Sequence, residues 1–209
     1  VRSPRGPRCI ALVGPFQSGK TTLLEAILAR SGAIARQGTV EAGTTVGDAS
    51  AEARHHKMSI EVSFATANYL GDNYTFIDCP GSVEFVHDMR AVLPAVDAAV
   101  VVCEADERKL PQLQLILREL EELRIPRILF LNKIDKSDKR VRDTLKILQS
   151  ASRVPLVLRQ IPIWSGEIVT GFVDLALERA FVYREHAASE VVPLDTELSR
   201  EREARFTML

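Results

Sequence analysis

Three cysteines, a formal charge of only −1 and no long apolar run over 209 residues each argue against a class of protein. Cys9, Cys79 and Cys103 show no metal-ligand spacing and are too few for a disulfide framework. They read as reduced, small core residues of a cytosolic protein. No apolar run approaches the roughly 18 residues needed to span a bilayer, and the stretch Ala95 to Cys103 is short and contains Asp97. No signal-peptide pattern opens the chain, so a cytoplasmic protein without a membrane partner is expected. With 27 basic against 28 acidic side chains there is no general nucleic-acid surface, and direct sequence-specific binding to nucleic acid is not expected. The start at Val1 without Met, in a basic Pro/Gly-containing stretch, suggests a trimmed or ragged N terminus.

What is present is enough apolar material, 46%, for one substantial core and a small satellite. Short apolar runs at 8–13, 74–77, 98–103 and 127–131 read as buried parallel strands. The alternating "IEVSFATA" of 60–67 fits an antiparallel edge strand. Helices are expected at Lys20 to Ala29, Val83 to Val92, Pro111 to Leu123 and Ser137 to Leu148, with Leu113, Ile116, Leu117 and Leu120 as a core stripe. From Val154 the text becomes β-rich, with Gly166 and Gly171 as breaks, and a polar helix is expected near Asp195 to Phe206.

Three motifs fall at the C-terminal ends of the strand patterns, where an open α/β sheet binds its ligands. The first is Gly14-Pro15-Phe16-Gln17-Ser18-Gly19-Lys20-Thr21, followed by Thr22, between an apolar run and a helical pattern. It fits the phosphate-binding loop G-x-x-x-x-G-K-[ST], whose glycines let backbone N–H groups and a helix N terminus converge on an anion. Lys20 would neutralise the β- and γ-phosphates, and the Thr21 hydroxyl would ligate Mg²⁺. The second is Asp78-Cys79-Pro80-Gly81, a D-x-x-G pattern. Asp78 would hold Mg²⁺ through water, and the Gly81 N–H would meet the γ-phosphate. The third is Asn132-Lys133-Ile134-Asp135, an N-K-x-D signature. Asp135 would accept from N1–H and the exocyclic amine of guanine, which adenine cannot offer there. Asn132 would reach the base and tie the loop to its neighbours, and the Lys133 stem would cover the ring. GTP or GDP with Mg²⁺ is therefore the expected ligand.

On these motifs the chain resembles the GTP-binding domain of translational GTPases, and within them elongation factor G. "RQGTVEAGTTVGDASAEARHHKMSIEVSFA" is similar to that family's first switch and next strand, and "DCPGSVEFVHDMRAVLPAVDAAVVVCEA" to its second switch helix and strand. "RIPRILFLNKIDK" is similar to its base-binding loop, and "VPLVLRQIPIWSGEIVTGFVDLALERAFVY" to the start of its inserted subdomain. The resemblance implies a P-loop NTPase fold, a mostly parallel sheet flanked by helices, with an inserted β-rich α/β subdomain beginning. It places an incomplete GTP-binding domain at 1–153 and the start of the insertion at 154–209. The family's last base-contacting Ser-Ala pair would lie past Leu209, and Ser165-Gly166 is not that pair. The ribosome would be the partner, reached through the full-length protein by local contacts.

Departures from the family pattern bear on catalysis. Ser82 stands where D-x-P-G-H places the histidine that orients the attacking water, and serine cannot present an imidazolium. Losing a positioned acid–base group slows a reaction by roughly 10²–10⁴-fold. Gln17 replaces a usual Asp, and Ser59 takes the place of the threonine that closes over Mg²⁺. His56 and Lys57 replace an Arg-Gly pair. Two readings follow: a ribosome-activated GTPase with weak or atypical hydrolysis, or a non-hydrolysing GTP-binding regulatory or scaffold paralogue.

Overall fold

The computed structural model describes residues 8–46, 62–81, 86–137, 141–185 and 187–192. Its chain divides into two compact units, 1–132 and 133–209. The domain boundary expected from the sequence, 153/154, falls within the second of these units.

The first unit is built on a five-stranded sheet of order β2-β3-β1-β4-β5. Its strands are β1 (Arg8–Val13), β2 (Ser63–Tyr69), β3 (Asp72–Asp78), β4 (Ala98–Cys103) and β5 (Arg127–Leu131). β1 pairs in parallel with β3 and β4, and β4 with β5. Flanked on both sides, β1 buries Ala11, Leu12 and Val13 almost completely, as an apolar run in a parallel sheet should.

β2 is the antiparallel edge, running from Ser63↔Asp78 to Tyr69↔Asp72. It reaches Tyr69, two residues past the expected end, because a polar cross-strand pair, Asn68–Asn73, carries the ladder on. Thr66 and Thr75 hydroxyls lie 3.3 Å apart, and Asn68 donates to Asn73 at 3.0 Å. Leu70 and Gly71 both take positive φ, 52° and 85°, as a two-residue hairpin turn demands. Residues 60 and 61 of the expected strand lie outside the described residues.

Helices α1 (Lys20–Arg30), α2 (Val86–Val92) and α3 (Leu110–Glu122) complete this unit. Leu24 and Leu28 of α1 pack with Leu12, Ala65, Ala67 and Phe76. In α3 the stripe Leu113, Ile116, Leu117 and Leu120 is buried, at the i, i+3, i+4, i+7 spacing of one helix face. Pro111 sits in the first turn of α3, where its missing N–H costs nothing. Residues 83–85 of the helix expected at Val83 lie outside the described residues.

The second unit holds α4 (Val141–Gln149) and an antiparallel sheet of order β6-β7-β8-β9. These strands are Gln160–Ser165, Ile168–Asp174, Arg179–Val182 and Glu190–Val192. α4 does not begin at Ser137, which is extended and ends a short 3₁₀ turn over Ile134–Lys136. Val173, Leu175 and Ala180 form the core, with Leu158, Ile161, Ile163 and Val192 against it. Gly166 is a turn residue with φ +61°. Gly171 is not a break: β7 runs through it, and it is glycine because a Cβ would come within 2.1 Å of the Phe181 carbonyl oxygen. The helix expected near Asp195 to Phe206 lies outside the described residues.

Asp174 closes β7. Its carboxylate accepts from the Ala176 and Leu177 amides at 3.0 and 2.9 Å and from Arg159 at 3.0 Å. Burial alone would raise its pKa, but the Leu177 amide, Arg159 and the Ala176 amide together hold it below the usual carboxylate value. A depressed folded pKa stabilises above the unfolded value, and that stabilisation is lost as pH falls through the folded one. Asp174→Asn should therefore flatten the acid-side fall in melting temperature below about pH 4, measured as thermal melts of wild type and variant against pH.

Candidate functional site

β1 delivers the chain into the glycine loop. Gly14 leaves the strand with φ +152°, and a Cβ there would lie 2.1 Å from the Val102 carbonyl oxygen of β4. Gly19, the residue capping α1, has φ +94°, and a Cβ would meet Asn132 Nδ2 at 2.3 Å. Gln17 is exposed at φ +55°, a left-handed conformation that costs a non-glycine residue about 1–2 kcal/mol. Pro15 is buried in the loop, whereas Phe16 and Thr22 are exposed. The Ser18 hydroxyl is buried and finds no hydrogen-bond partner among the described residues.

Lys20 opens α1 and is 6% exposed. Its Nζ donates to the Gly14 and Pro15 carbonyls, both at 3.2 Å. Burial lowers its pKa, the nearby Asp78 and Cys79 pull it upward, and Lys109 adds to the lowering. Next to it the Thr21 hydroxyl donates to Asp78 Oδ2 at 2.6 Å. Asp78 is the last residue of β3, fully buried and in register with Leu12. Gly81 lies against the loop: a Cβ on it would be 2.4 Å from Lys20 Nζ and 3.0 Å from Phe16 Cα.

Asn132 follows β5 and joins two of the motifs. Its backbone N–H donates to Cys103 O at 2.8 Å, and its side chain donates to Ser18 O at 2.8 Å. Lys133 takes φ +55° and leads into the 3₁₀ turn containing Asp135; both belong to the second unit. Ser59 and Ser82 lie outside the described residues. Cys103 sits at the end of β4 with its thiol pushed up to about 12, by burial first and by Glu104 second. Such a thiol is inert at neutral pH.

Two residues here had no place in the sequence reading. Glu25 is 1% exposed and accepts from the Gly38 N–H at 2.8 Å and the Val46 N–H at 2.6 Å. It pins residues 38 and 46, within the first-switch text, onto α1. The available signal was a charged side chain between Leu24 and Leu28, on the inward side of an amphipathic helix. Gln112 contacts both Phe16 and Gly81 through its side-chain amide. Lying beside core residue Leu113 on a surface helix, it carried no signal. Glu25→Ala should cost about 2 kcal/mol or more, since two amides lose a charged acceptor. It should also expose 38–46 to protease, while Glu25→Gln, keeping one carbonyl acceptor, falls between; denaturant melts and limited proteolysis measure both.

Comparison with known proteins matches this arrangement. Residues 6–194 fit the family model described as the elongation factor Tu GTP binding domain. An elongation factor G-like protein of Synechocystis sp. is 40% identical over 97% of this chain, and elongation factor G 2 of Streptomyces coelicolor is 32% identical over 97%. The mitochondrial ribosome-releasing factor 2 of Danio rerio is 33% identical over 86%. A crystal structure of a Thermus thermophilus protein superposes with a TM-score of 0.84 at 30% identity over 97% of this chain. The chain spans 30% of the Synechocystis and Streptomyces proteins and of the Thermus chain, and 24% of the zebrafish one. Sequence, fold and glycine loop agree: the chain belongs to the elongation factor Tu GTP-binding domain family.

Proposed function

We propose that this chain binds GTP and GDP with Mg²⁺, as the guanine-nucleotide-binding domain of a protein that acts on the ribosome in translation elongation. The observation that carries the reading is the Thr21 hydroxyl and Asp78 carboxylate at 2.6 Å beside the buried ammonium of Lys20. A hydroxyl, a carboxylate and a cation at the foot of a glycine loop match the donor set for a magnesium–phosphate group. The buried Ser18 hydroxyl in the same loop, without a hydrogen-bond partner among the described residues, supports a polar ligand there. Thr21 would ligate the ion directly, Asp78 through water, and Ser59 would close over it. When bound, the ion supplies charge neutralisation at the β- and γ-phosphates.

The chain's own groups divide the remaining work. Lys20 would take the terminal phosphates, Gly81 would present its N–H to the third, and Asp135 would read guanine with Asn132 and Lys133 beside it. Residues 1–153 would form the nucleotide domain and 154–209 the start of an insertion. No helix among the described residues is long and apolar enough to cross a membrane, and a cytoplasmic site of action fits a ribosomal partner.

Hydrolysis is slow in this reading, because Ser82 supplies no imidazole and Gln17 no carboxylate. A second reading, in which GTP is bound as a regulatory ligand and not turned over, draws on the same two substitutions. Titration with GDP, a non-hydrolysable GTP analogue and ATP in Mg²⁺ should show saturable binding of the guanine nucleotides alone; equal binding of ATP would overturn the assignment to guanine. With ribosomes present, Ser82→His in the full-length protein should raise GTP turnover by roughly 10²-fold or more. An unchanged rate would mean that Ser82 does not limit hydrolysis.

A further inference from the structure

We propose that Gln112 is a positioning residue that biases this site toward the nucleoside diphosphate, a role that rests on the guanine-nucleotide reading above. Gln112 lies in the first turn of α3, after Pro111 and before the buried Leu113, so its backbone is fixed by a packed helix. Both ends of its side-chain amide are in use. Oε1 accepts from the Phe16 N–H of the glycine loop at 3.3 Å, and Nε2 donates to the Gly81 carbonyl. One side chain thus ties the phosphate loop, the D-x-x-G glycine and α3 together.

Where Gly81 is held gives the tie its consequence. A Cβ on Gly81 would lie 2.4 Å from Lys20 Nζ and 3.0 Å from both Phe16 Cα and Pro15 O, so the glycine packs directly on the lysine amine. That amine is the group expected to meet the β- and γ-phosphates. A third phosphate reaching Lys20 and Gly81 as packed here compete for the same space. A triphosphate must move Gly81 outward, and that movement breaks the Gln112 hydrogen bond to its carbonyl. A diphosphate leaves the bond in place. The energy of one amide–carbonyl hydrogen bond is therefore set against the triphosphate alone, and α3 is the element that registers the change. A ligand shifts such an equilibrium only by its differential affinity for the two positions.

The test uses Gln112→Met and Gln112→Leu in the intact protein, two side chains of similar bulk that keep the helix packing and cannot bridge. Dissociation constants for GDP and a non-hydrolysable GTP analogue are measured in Mg²⁺, with amide hydrogen exchange of Phe16 in the nucleotide-free protein as a second readout. The expected result is a shift of the relative affinity toward the GTP analogue by about threefold to tenfold, the worth of one net hydrogen bond, with GDP binding little changed and faster exchange at Phe16. A merely structural brace would lower the melting temperature or both affinities together and leave their ratio unchanged, which would overturn the proposal. Unchanged Phe16 exchange would overturn the bridge itself. Failure of the wild-type protein to bind either guanine nucleotide would instead sink the assignment of the site, whatever the exchange at Phe16 showed.

Discussion

A buried ammonium organises the site. Lys20 is 6% exposed, and a charge taken out of water must be compensated where it sits. Two loop carbonyls at 3.2 Å and the nearby Asp78 do so. Around this group the backbone is drawn in until no room for side chains remains. Gly14 is limited by the Val102 carbonyl, Gly19 by the Asn132 amide and Gly81 by Lys20 itself. The three glycines thus have three different causes, and only two of them, Gly14 and Gly19, also need a left-handed backbone. The glycine pattern is a record of close approach as much as of curvature.

Much of this was legible from residues alone. Strands β1, β4 and β5 lie where apolar runs predict them; burial in the interior of a parallel sheet explains the runs of β1 and β4, whereas β5, expected to be buried, is an edge strand that leaves Ile128 and Phe130 exposed. β3 and its hairpin partner β2 extend beyond the predicted ends at the hairpin through an Asn68–Asn73 pair that hydropathy cannot see. Gly171 misled for a related reason: a glycine inside a strand signals either a break or a close backbone neighbour, and the neighbour, Phe181, belongs to another strand. The partners of Glu25 and Gln112 were not legible because they are distant, 13 and 21 positions away for the first, 31 and 96 for the second. Local patterns encode spacing within an element, and these residues act between elements.

The loop geometry also bears on how the Gln17 departure should be understood. At φ +55° Gln17 adopts a conformation that Asp and Asn tolerate better, yet the loop keeps its curl, with Gly14, Gly19 and Lys20 in place. The backbone is set by its neighbours and not by this side chain. In the proposed reading, Gln17 offers an amide where the resembled family pattern has a carboxylate.

The central position of β1 has a consequence in time. Its two neighbours are contributed from far along the chain: Arg8 meets Tyr74 66 positions on, and Cys9 meets Asp97 88 positions on. During synthesis at roughly 5–20 residues per second, β1 would wait on the order of 5–20 s for its second partner. Until β3 has been made the run Cys9-Ile10-Ala11-Leu12-Val13 has no sheet to enter, and it is the kind of short apolar β segment that associates wrongly. Arg2, Arg5 and Arg8 immediately before it place charge where such a segment would first pair.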